Sequence, residues 1–362
     1  MKHKLYNIEG KRCANLGKLD DAISFYEKAI SIKSEYVDAH YNLASVNHKL
    51  GHLDAAVKGY KKVVAISPDY AVTHNNKILS VIFFFSKGLI PDAIDVLEEL
   101  IKGGPNDALL FNMTGGCYAS QGKTNLAIKF YEKALVLKPD YAIPQHMLNS
   151  LKGITSQGPP KEYVKNLFDD YAERFDESLL NQLQYKLPFL IKEIILKINP
   201  AKTKFDKVID LGCGTGLSGE NLQDISNNLT GIDISKNMIS KANELNIYDS
   251  LIAGDIVEKL ELSEEKYDLF VALDVFIYIG EITSMLNAVK KCANKNSFFI
   301  FSIETLKGEG YSLLKSSRYA HSDSYILEVA SNGFELIASQ NVKLRKEGDK
   351  WIDGKIYILK VT

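Results

Sequence analysis

A glycine-rich segment at residues 210–216, Asp-Leu-Gly-Cys-Gly-Thr-Gly, contains the residue types that most clearly predict chemistry in this chain. It directly follows the apolar run 207–209, which is typical of a buried β-strand. Glycines at the end of such a strand permit a tight turn and let a ligand approach the backbone closely. The segment therefore predicts a cofactor-binding loop at the carboxyl end of a strand.

The glycine spacing alone is compatible with two kinds of cofactor. The Gly-x-Gly-x-x-Gly pattern at 214–219, with Asp233 near the right distance for a ribose, also fits a dinucleotide such as NAD. Against this, Asp210 stands at the mouth of the strand, where a carboxylate attracts an ammonium group and repels a pyrophosphate. Asp255 follows the third predicted strand, where its carboxylate can accept from an adenine amino group. These features, with a terminal antiparallel strand pair, favour S-adenosylmethionine (SAM).

On these motifs, residues 160–362 resemble the class I SAM-dependent methyltransferases. The resemblance implies that the glycine loop wraps the methionine part of SAM, that Asp233 binds the ribose and that Asp255 contacts adenine. It also implies that Leu273 lines the methionine side and that a lid helix near Tyr171 adjoins the site. The cofactor residues implied are Asp210, Gly212, Cys213, Gly214, Gly216, Asp233, Ile234, Asp255, Ile256, Leu273 and Tyr171. The alternative for Asp210, Asp233 and Asp274 is capping of the helices that follow.

Three residues after the fifth predicted strand are candidates for work on the methyl acceptor. Because a sulfonium methyl group is already activated, positioning supplies most of the catalysis, although a hydroxyl acceptor must also lose a proton. His321 is the best candidate base, since an imidazole titrates near neutrality. Arg318 is a candidate to grip a substrate carboxylate, and Tyr319 is a weaker candidate, as are Tyr278 and Glu304. The alternatives are a structural histidine, a surface ion pair and ordinary packing.

The first 150 residues follow a different period. Four alanines, spaced by 34, 37 and 34 residues, are each followed four residues later by a large apolar side chain. These pairs are Ala22 and Tyr26, Ala56 and Tyr60, Ala93 and Leu97, and Ala127 and Tyr131. Residues 3–150 thereby resemble tetratricopeptide repeats, with turn glycines at Gly17, Gly51, Gly88 and Gly122 and, in three copies, prolines at Pro68, Pro105 and Pro139. The resemblance implies stacked helix pairs whose concave face binds a protein or peptide partner.

The change of period predicts the domain organisation. Gln157-Gly158-Pro159-Pro160 interrupts the helical pattern, and short apolar runs then alternate with helical stretches, which indicates a mostly parallel sheet. Two strand-like runs at 334–344 and 351–361 predict a terminal antiparallel hairpin. We therefore predict an all-α tetratricopeptide-repeat solenoid, of about four repeats plus a capping helix, followed by an α/β Rossmann-like domain. The predicted limits are 1–156 for the repeats, 157–204 for linker and lid helices, and 205–362 for the methyltransferase domain.

Composition excludes several classes of protein. The chain has 362 residues, 46% of them hydrophobic, and a net charge of −1, which excludes a disordered chain and predicts neither nucleic acid nor membrane as partner. Leu-Asp-Val-Phe after the fourth predicted strand lacks the Asn/Asp-Pro-Pro-Tyr motif of many enzymes that methylate adenine or amide nitrogen, which argues against a nucleic-acid amine as the substrate. The four cysteines form no Cys-x-x-Cys pair, so we expect no metal site. With no apolar leader, the expected location is the cytoplasm.

Together these features predict a SAM-dependent methyltransferase that methylates oxygen on a small or carrier-borne molecule. The repeats would recruit the substrate's carrier or another protein. The alternative is a repeat scaffold whose second domain binds the cofactor without catalysis. Retention of Asp210, Asp233 and the loop glycines argues against this alternative, since an inactive domain is free to lose them.

Overall fold

The chain folds into two compact units, Met1–Leu148 and Asn149–Thr362. The computed structural model describes residues 1–67, 90–103, 107–198 and 204–362. The division falls close to the boundary predicted at residues 156 and 157, and the domain limits given above remain sequence-based predictions. Four features of the predicted repeats lie outside the described residues, namely Pro68, the phenylalanines at 83–85, Gly88 and Pro105.

The first unit is helical throughout its described residues. Its helices are α1 (Lys2–Asn15), α2 (Leu19–Ile32), α3 (Val37–Lys49), α4 (Leu53–Ile66), α5 (Ile90–Gly103), α6 (Ala108–Ser120), α7 (Thr124–Leu137) and α8 (Ala142–Lys152), the last of which continues into the second unit. Short turns connect α1 to α2, α3 to α4 and α6 to α7, and in these turns Gly17, Gly51 and Gly122 adopt positive φ angles of 74°, 76° and 70°. This arrangement confirms the predicted helix pairs.

Small residues allow the paired helices to approach closely. The four anchoring alanines are completely buried, and the large side chains four residues later are almost completely buried. A Cβ atom at Gly10 of α1 would lie 2.5 Å from the Tyr26 ring of α2, and one at Gly115 of α6 would lie 2.8 Å from the Tyr131 ring of α7. The glycines therefore make room for the tyrosines, which fill the space between the helices of each pair.

The second unit begins with helical segments. These are α9 (Lys161–Tyr171), a run of 3₁₀, α and π turns at residues 172–182, and α10 (Leu187–Ile198). We refer to residues 161–182 as the lid segment. The lid segment has an apolar and aromatic side that includes Phe168, Tyr171 and Phe175, and α10 buries Leu187, Ile191 and Ile195 against the sheet that follows.

A seven-stranded sheet forms the centre of the second unit. Its strands are β1 (Phe205–Leu211), β2 (Ser226–Asp233), β3 (Ser250–Ala253), β4 (Tyr267–Ala272), β5 (Ala293–Glu304), β8 (Phe334–Glu347) and β9 (Lys350–Val361), in the spatial order β3-β2-β1-β4-β5-β9-β8. The first five pair in parallel, whereas β9 pairs antiparallel with β5 and with β8. The predicted parallel sheet with a terminal hairpin is thus confirmed.

Helices cover both faces of this sheet. The connecting helices are α11 (Gly219–Leu222), α12 (Lys236–Glu244), α13 (Ile256–Leu262), α14 (Thr283–Lys291) and α15 (Asp323–Ala330), and a small hairpin of β6 (Tyr311–Leu313) and β7 (Tyr319–His321) follows β5. Successive strand residues alternate between the two cores: Phe270 packs toward α14 and α15, and Val271 packs toward α10. The parallel strands end at one edge, which is where ligands bind in such sheets.

The described residues contain neither a membrane-spanning helix nor a cluster of metal-ligating side chains. Within residues 1–67, 90–103, 107–198 and 204–362, no helix has the length and apolar character needed to cross a bilayer. Over the same ranges, no group of three or more His, Cys, Asp or Glu side chains is arranged to hold a metal ion.

Candidate functional site

A cavity of about 570 Å³ lies in the second unit at the carboxyl ends of the parallel strands. The lid segment lines its other side, and most of the lining side chains are apolar. Nine of the predicted cofactor residues line this cavity: Gly212, Cys213, Gly214, Asp233, Ile234, Asp255, Ile256, Leu273 and Tyr171. The topology therefore brings together residues that lie far apart in the sequence, in a space of the size typical of small-molecule sites.

The glycine loop after β1 depends on the absence of side chains. Gly212 has a φ of 73°, and a Cβ atom there would lie 2.5 Å from Cγ2 of Val275. Gly214 has a φ of 54°, and a Cβ atom there would lie 3.5 Å from the ring of Phe175 in the lid segment. Any side chain at Gly212 would thus clash, and one at Gly214 would occupy cavity space.

Asp233, the last residue of β2, holds the glycine loop and also lines the cavity. Its Oδ2 atom accepts from the backbone N–H of Gly214 at 2.9 Å, and its Oδ1 atom accepts from that of Ser235 at 2.8 Å. Burial raises the pKa of this carboxyl to about 6, and the two N–H donors partly offset the effect. Each carboxylate oxygen keeps a further lone pair, so Asp233 can also accept from ribose hydroxyls.

Asp255, after β3, has a structural role beside its place in the cavity lining. Its Oδ1 atom accepts from the backbone N–H of Glu258 at 3.0 Å and so caps α13. Its Oδ2 atom lies 3.4 Å from Nζ of Lys161 in the lid segment. A ligand that binds this carboxylate would therefore share it with the N–H of Glu258 and with Lys161.

Hydrogen bonds join the lid segment to the loops that carry the cofactor candidates. Asp169 accepts from the Ser235 hydroxyl at 2.6 Å, and Asp176 accepts from the Thr215 hydroxyl at 2.5 Å. Ser235 follows Asp233 closely, and Thr215 belongs to the glycine loop. The position of the lid segment is consequently tied to the position of the predicted cofactor residues.

Two predicted cofactor residues are not brought to the cavity. Asp210 is buried beneath the loop, where it accepts from the Tyr248 hydroxyl at 2.8 Å, and burial raises its pKa to about 7. It therefore supports the loop from below rather than facing a ligand's ammonium group. Gly216 has a φ of 103° and packs against Leu245, which a Cβ atom would approach to 2.7 Å. Its role is to turn the backbone.

The structure also separates the predicted catalytic residues. His321 is completely buried outside the cavity lining, where its Nε2–H donates to the Gly280 carbonyl at 2.9 Å, and burial lowers its pKa to about 4. Tyr319 is also buried outside the lining and hydrogen-bonds to Ser156 at 2.8 Å. Neither residue can reach a substrate in the cavity, which corrects the prediction of His321 as the base.

Arg318 does line the cavity, but it is engaged with this chain's own groups. Its guanidinium forms an ion pair with Glu347 and is influenced by Tyr278 and Asp274, which raise its pKa above the ordinary value although burial opposes this. A substrate carboxylate would have to compete with Glu347 for it. The predicted grip on a carboxylate is therefore not favoured.

Sequence reasoning missed Arg345, which is the largest fully buried side chain in the described part of the chain. Its guanidinium donates to Glu304 at 2.9 Å, to Glu347 at 3.1 Å and to both oxygens of Asp274 at 3.3 Å. Burial raises the pKa of Asp274 and of Glu304, and Arg345 opposes both shifts. No sequence signal marked it, because Arg345 follows the apolar Leu344 in an otherwise charged run, and alternation along a strand predicts that it faces solvent.

Comparison with protein-family models assigns both units of the chain. Residues 202–342 match a model described as a methyltransferase domain. Residues 10–51, 37–70 and 84–142 match three models of the tetratricopeptide repeat. The chain combines tetratricopeptide repeats with a methyltransferase domain. Most of the cavity lining falls within the matched part of the methyltransferase domain.

Individual relatives are distant and match only part of this chain. A ubiquinone biosynthesis O-methyltransferase of Hydrogenovibrio crunogenus is 26% identical over 121 residues, which is 29% of this chain and 49% of that protein. An 18S rRNA (guanine-N(7))-methyltransferase of Bos taurus is 33% identical over 136 residues, 37% of this chain and 44% of that protein. The chain thus spans about half, or less, of the length of these relatives.

Among solved structures, the N-methyltransferase NodS from Bradyrhizobium japonicum in complex with S-adenosylhomocysteine covers 55% of this chain and 98% of its own, with a TM-score of 0.44 and 14% identity.

Proposed function

We propose that this protein is a SAM-dependent methyltransferase whose acceptor is a hydroxyl group on a small or carrier-borne molecule. The observation that carries the proposal is the cavity itself, in which the glycine loop, Asp233 and Asp255 meet at the ends of three neighbouring strands. SAM supplies an activated methyl group when bound. The glycine loop, Asp233 and Asp255 would hold it. The glycines leave the loop backbone accessible to a ligand, and the two carboxylates can accept hydrogen bonds from ribose hydroxyls and from the adenine amino group.

An oxygen acceptor is supported by one sequence feature. The segment after β4 reads Leu-Asp-Val-Phe, which lacks the Asn/Asp-Pro-Pro-Tyr motif found in many enzymes that methylate adenine or amide nitrogen. One of the two relatives described above is named as an O-methyltransferase and the other for a guanine nitrogen, so the proposal of oxygen rests on this feature. We further propose that the tetratricopeptide repeats bind a protein or peptide, such as the carrier of the substrate.

Calorimetric titration with SAM, S-adenosylhomocysteine and NAD tests the cofactor. We expect the first two to bind and NAD not to bind. Replacing Asp233 with alanine should weaken SAM binding by about 10- to 100-fold, because the ribose hydroxyls lose a charged acceptor and the N–H of Gly214 also loses its partner.

Asp224→Ala is the matched control for this titration. Asp224 is an exposed carboxylate paired with Lys192 at 2.5 Å, away from the cavity lining, so its removal should leave SAM affinity unchanged. Binding of NAD in preference to SAM, or of neither, would overturn the proposed function. Equal SAM affinity in wild type and Asp233→Ala would remove the ribose-binding role of Asp233.

A further inference from the structure

One end of the cavity is polar, and the cofactor residues do not account for it. Tyr185, Asp274, Arg318 and Arg345 line this end, beyond the glycine loop. Tyr185 is 4% exposed, and its hydroxyl has no hydrogen-bond partner among the residues that the structure describes. Burying a hydrogen-bond donor without an acceptor costs free energy. The presence of such a donor beside a cavity therefore points to a ligand group that accepts its hydrogen bond.

The charges at this end are already balanced from within the chain. Two guanidinium groups, Arg318 and Arg345, face three carboxylates, those of Asp274, Glu304 and Glu347. Because the carboxylates outnumber the guanidinium groups, no positive charge is left over to attract an anionic substrate. The end therefore suits a neutral polar group better than a carboxylate or a phosphate.

Asp274 is the carboxylate of this group that both lines the cavity and follows the strand end directly. Its backbone adopts a φ of 58°, which is uncommon for a residue with a side chain and is often found at functional sites. Its side chain is 19% exposed, compared with 2% for Arg345 and 10% for Glu304. Its two contacts with Arg345, at 3.3 Å, are long for charged hydrogen bonds, which leaves the oxygens able to accept another proton.

The walls next to this end are aromatic and apolar. Phe168 packs edge-on against Phe175 and Tyr278, with ring centroids 6.1 and 5.1 Å apart. Leu179 and Leu183 also line the cavity there. Such walls favour a flat or apolar molecular body, whose one polar group would reach the end formed by Tyr185 and Asp274.

We propose that Tyr185 and Asp274 form the acceptor subsite, which takes an uncharged hydroxyl carried on an aromatic or apolar body. Tyr185 donates a hydrogen bond that orients the acceptor oxygen of the substrate. Asp274, which Arg345 holds in place, accepts the proton of the substrate hydroxyl. The hydroxyl oxygen forms its bond to the methyl carbon as the carbon–sulfur bond breaks, and the electron pair stays with sulfur. The proton passes to the Asp274 carboxylate and then to water. The inference rests on the proposed function.

A set of three naphthalene probes tests the subsite by binding alone. 2-Naphthol carries the hydroxyl, 2-methoxynaphthalene lacks the proton, and 2-naphthoate carries a negative charge. In calorimetric titrations of the full chain with S-adenosylhomocysteine present, we expect 2-naphthol to bind at least tenfold more tightly than either of the others. In Tyr185→Phe, the affinity for 2-naphthol should fall about tenfold, because the variant loses the donor from which the hydroxyl oxygen accepts.

Tyr185→Phe is suited to this test because it removes only a hydroxyl that has no partner within the described residues, so its melting temperature should be unchanged or higher. A preference for 2-naphthoate, equal affinities of wild type and variant for 2-naphthol, or no saturable binding of 2-naphthol would each overturn the subsite. If S-adenosylhomocysteine does not bind, the proposed function fails, and titration of 2-naphthol alone still measures the contrast between wild type and variant.

Asp274→Asn separates proton acceptance from positioning. The amide keeps the shape and can still accept from Arg345, but it cannot take up a proton at working pH. We expect formation of 2-methoxynaphthalene from 2-naphthol and SAM to fall at least a hundredfold, while the dissociation constant for 2-naphthol changes less than threefold. Equal rates in the two proteins, or a wild type that binds 2-naphthol without methylating it, would overturn the role of Asp274 as base.

Discussion

Replacing Arg345 with alanine is expected to lower the free energy of unfolding by about 3–5 kcal/mol, the usual cost of removing one partner from a buried ion pair. Arg345 is fully buried and donates to three carboxylates, two of which are themselves mostly buried. Without it, Asp274, Glu304 and Glu347 would repel one another, and Arg318, which pairs with Glu347, would offset this only in part. Chemical denaturation followed by circular dichroism measures the loss.

The loss should depend on pH in a defined direction. Burial already raises the pKa of Asp274 and Glu304, and removal of Arg345 would raise both further. Acid would then protonate the orphaned carboxylates, so the difference between wild type and Arg345→Ala should shrink as the pH falls toward about 4. Lys343→Ala is the matched control, because Lys343 lies on the same strand in an exposed pair with Asp353 and should cost less than about 1 kcal/mol. A loss of that small size in Arg345→Ala would show that the carboxylates do not need the guanidinium.

The position of Arg345 also shows where sequence reasoning stops. The register of β8 against β9 shifts between Lys343 and Lys346, so Leu344 and Arg345, although adjacent, are both buried. Alternation along a strand predicts that one of two neighbours faces solvent, and nothing local in the sequence marks the shift. Two of its three partners, Asp274 after β4 and Glu304 at the end of β5, are distant in the sequence, and only the assembled sheet brings them to Arg345.

Local features, in contrast, were predictable. The glycine loop, Asp233 and Asp255 each lie at or just after the end of a strand, and parallel strands bring their carboxyl ends to one edge, so spacing was enough to place them together. The repeat alanines and tyrosines were predictable for a similar reason, since each pair packs within a single repeat. For Asp210 and His321 the sequence predicted the segment but not the direction of the side chain. Asp210 points beneath the loop toward Tyr248, and His321 points toward Gly280.

The burial of His321 leads to a second large effect, on stability rather than on catalysis. Its pKa falls from 6.5 to about 4 on folding, mainly because burial disfavours the charged imidazolium. Between pH 4 and pH 6.5 the unfolded chain binds more protons at His321 than the folded chain does. Folding stability is therefore unaffected by this group above about pH 6.5 and decreases as the pH falls toward 4. The shift corresponds to about 3 kcal/mol. We expect wild type to lose this amount relative to His321→Gln between pH 7 and pH 4.

The comparison with His321→Gln isolates this single group. Asp210 and Asp233 have raised pKa values, so their burial lowers stability as the pH rises, which opposes the trend from His321 in the wild type alone. Both carboxylates are present in both proteins, so their contributions cancel in the difference. A glutamine amide at position 321 can still donate to the Gly280 carbonyl, which limits other losses. A difference that stays constant from pH 7 to pH 4 would mean that the imidazole is accessible to protons in the folded state, and His321 would then be a candidate base again.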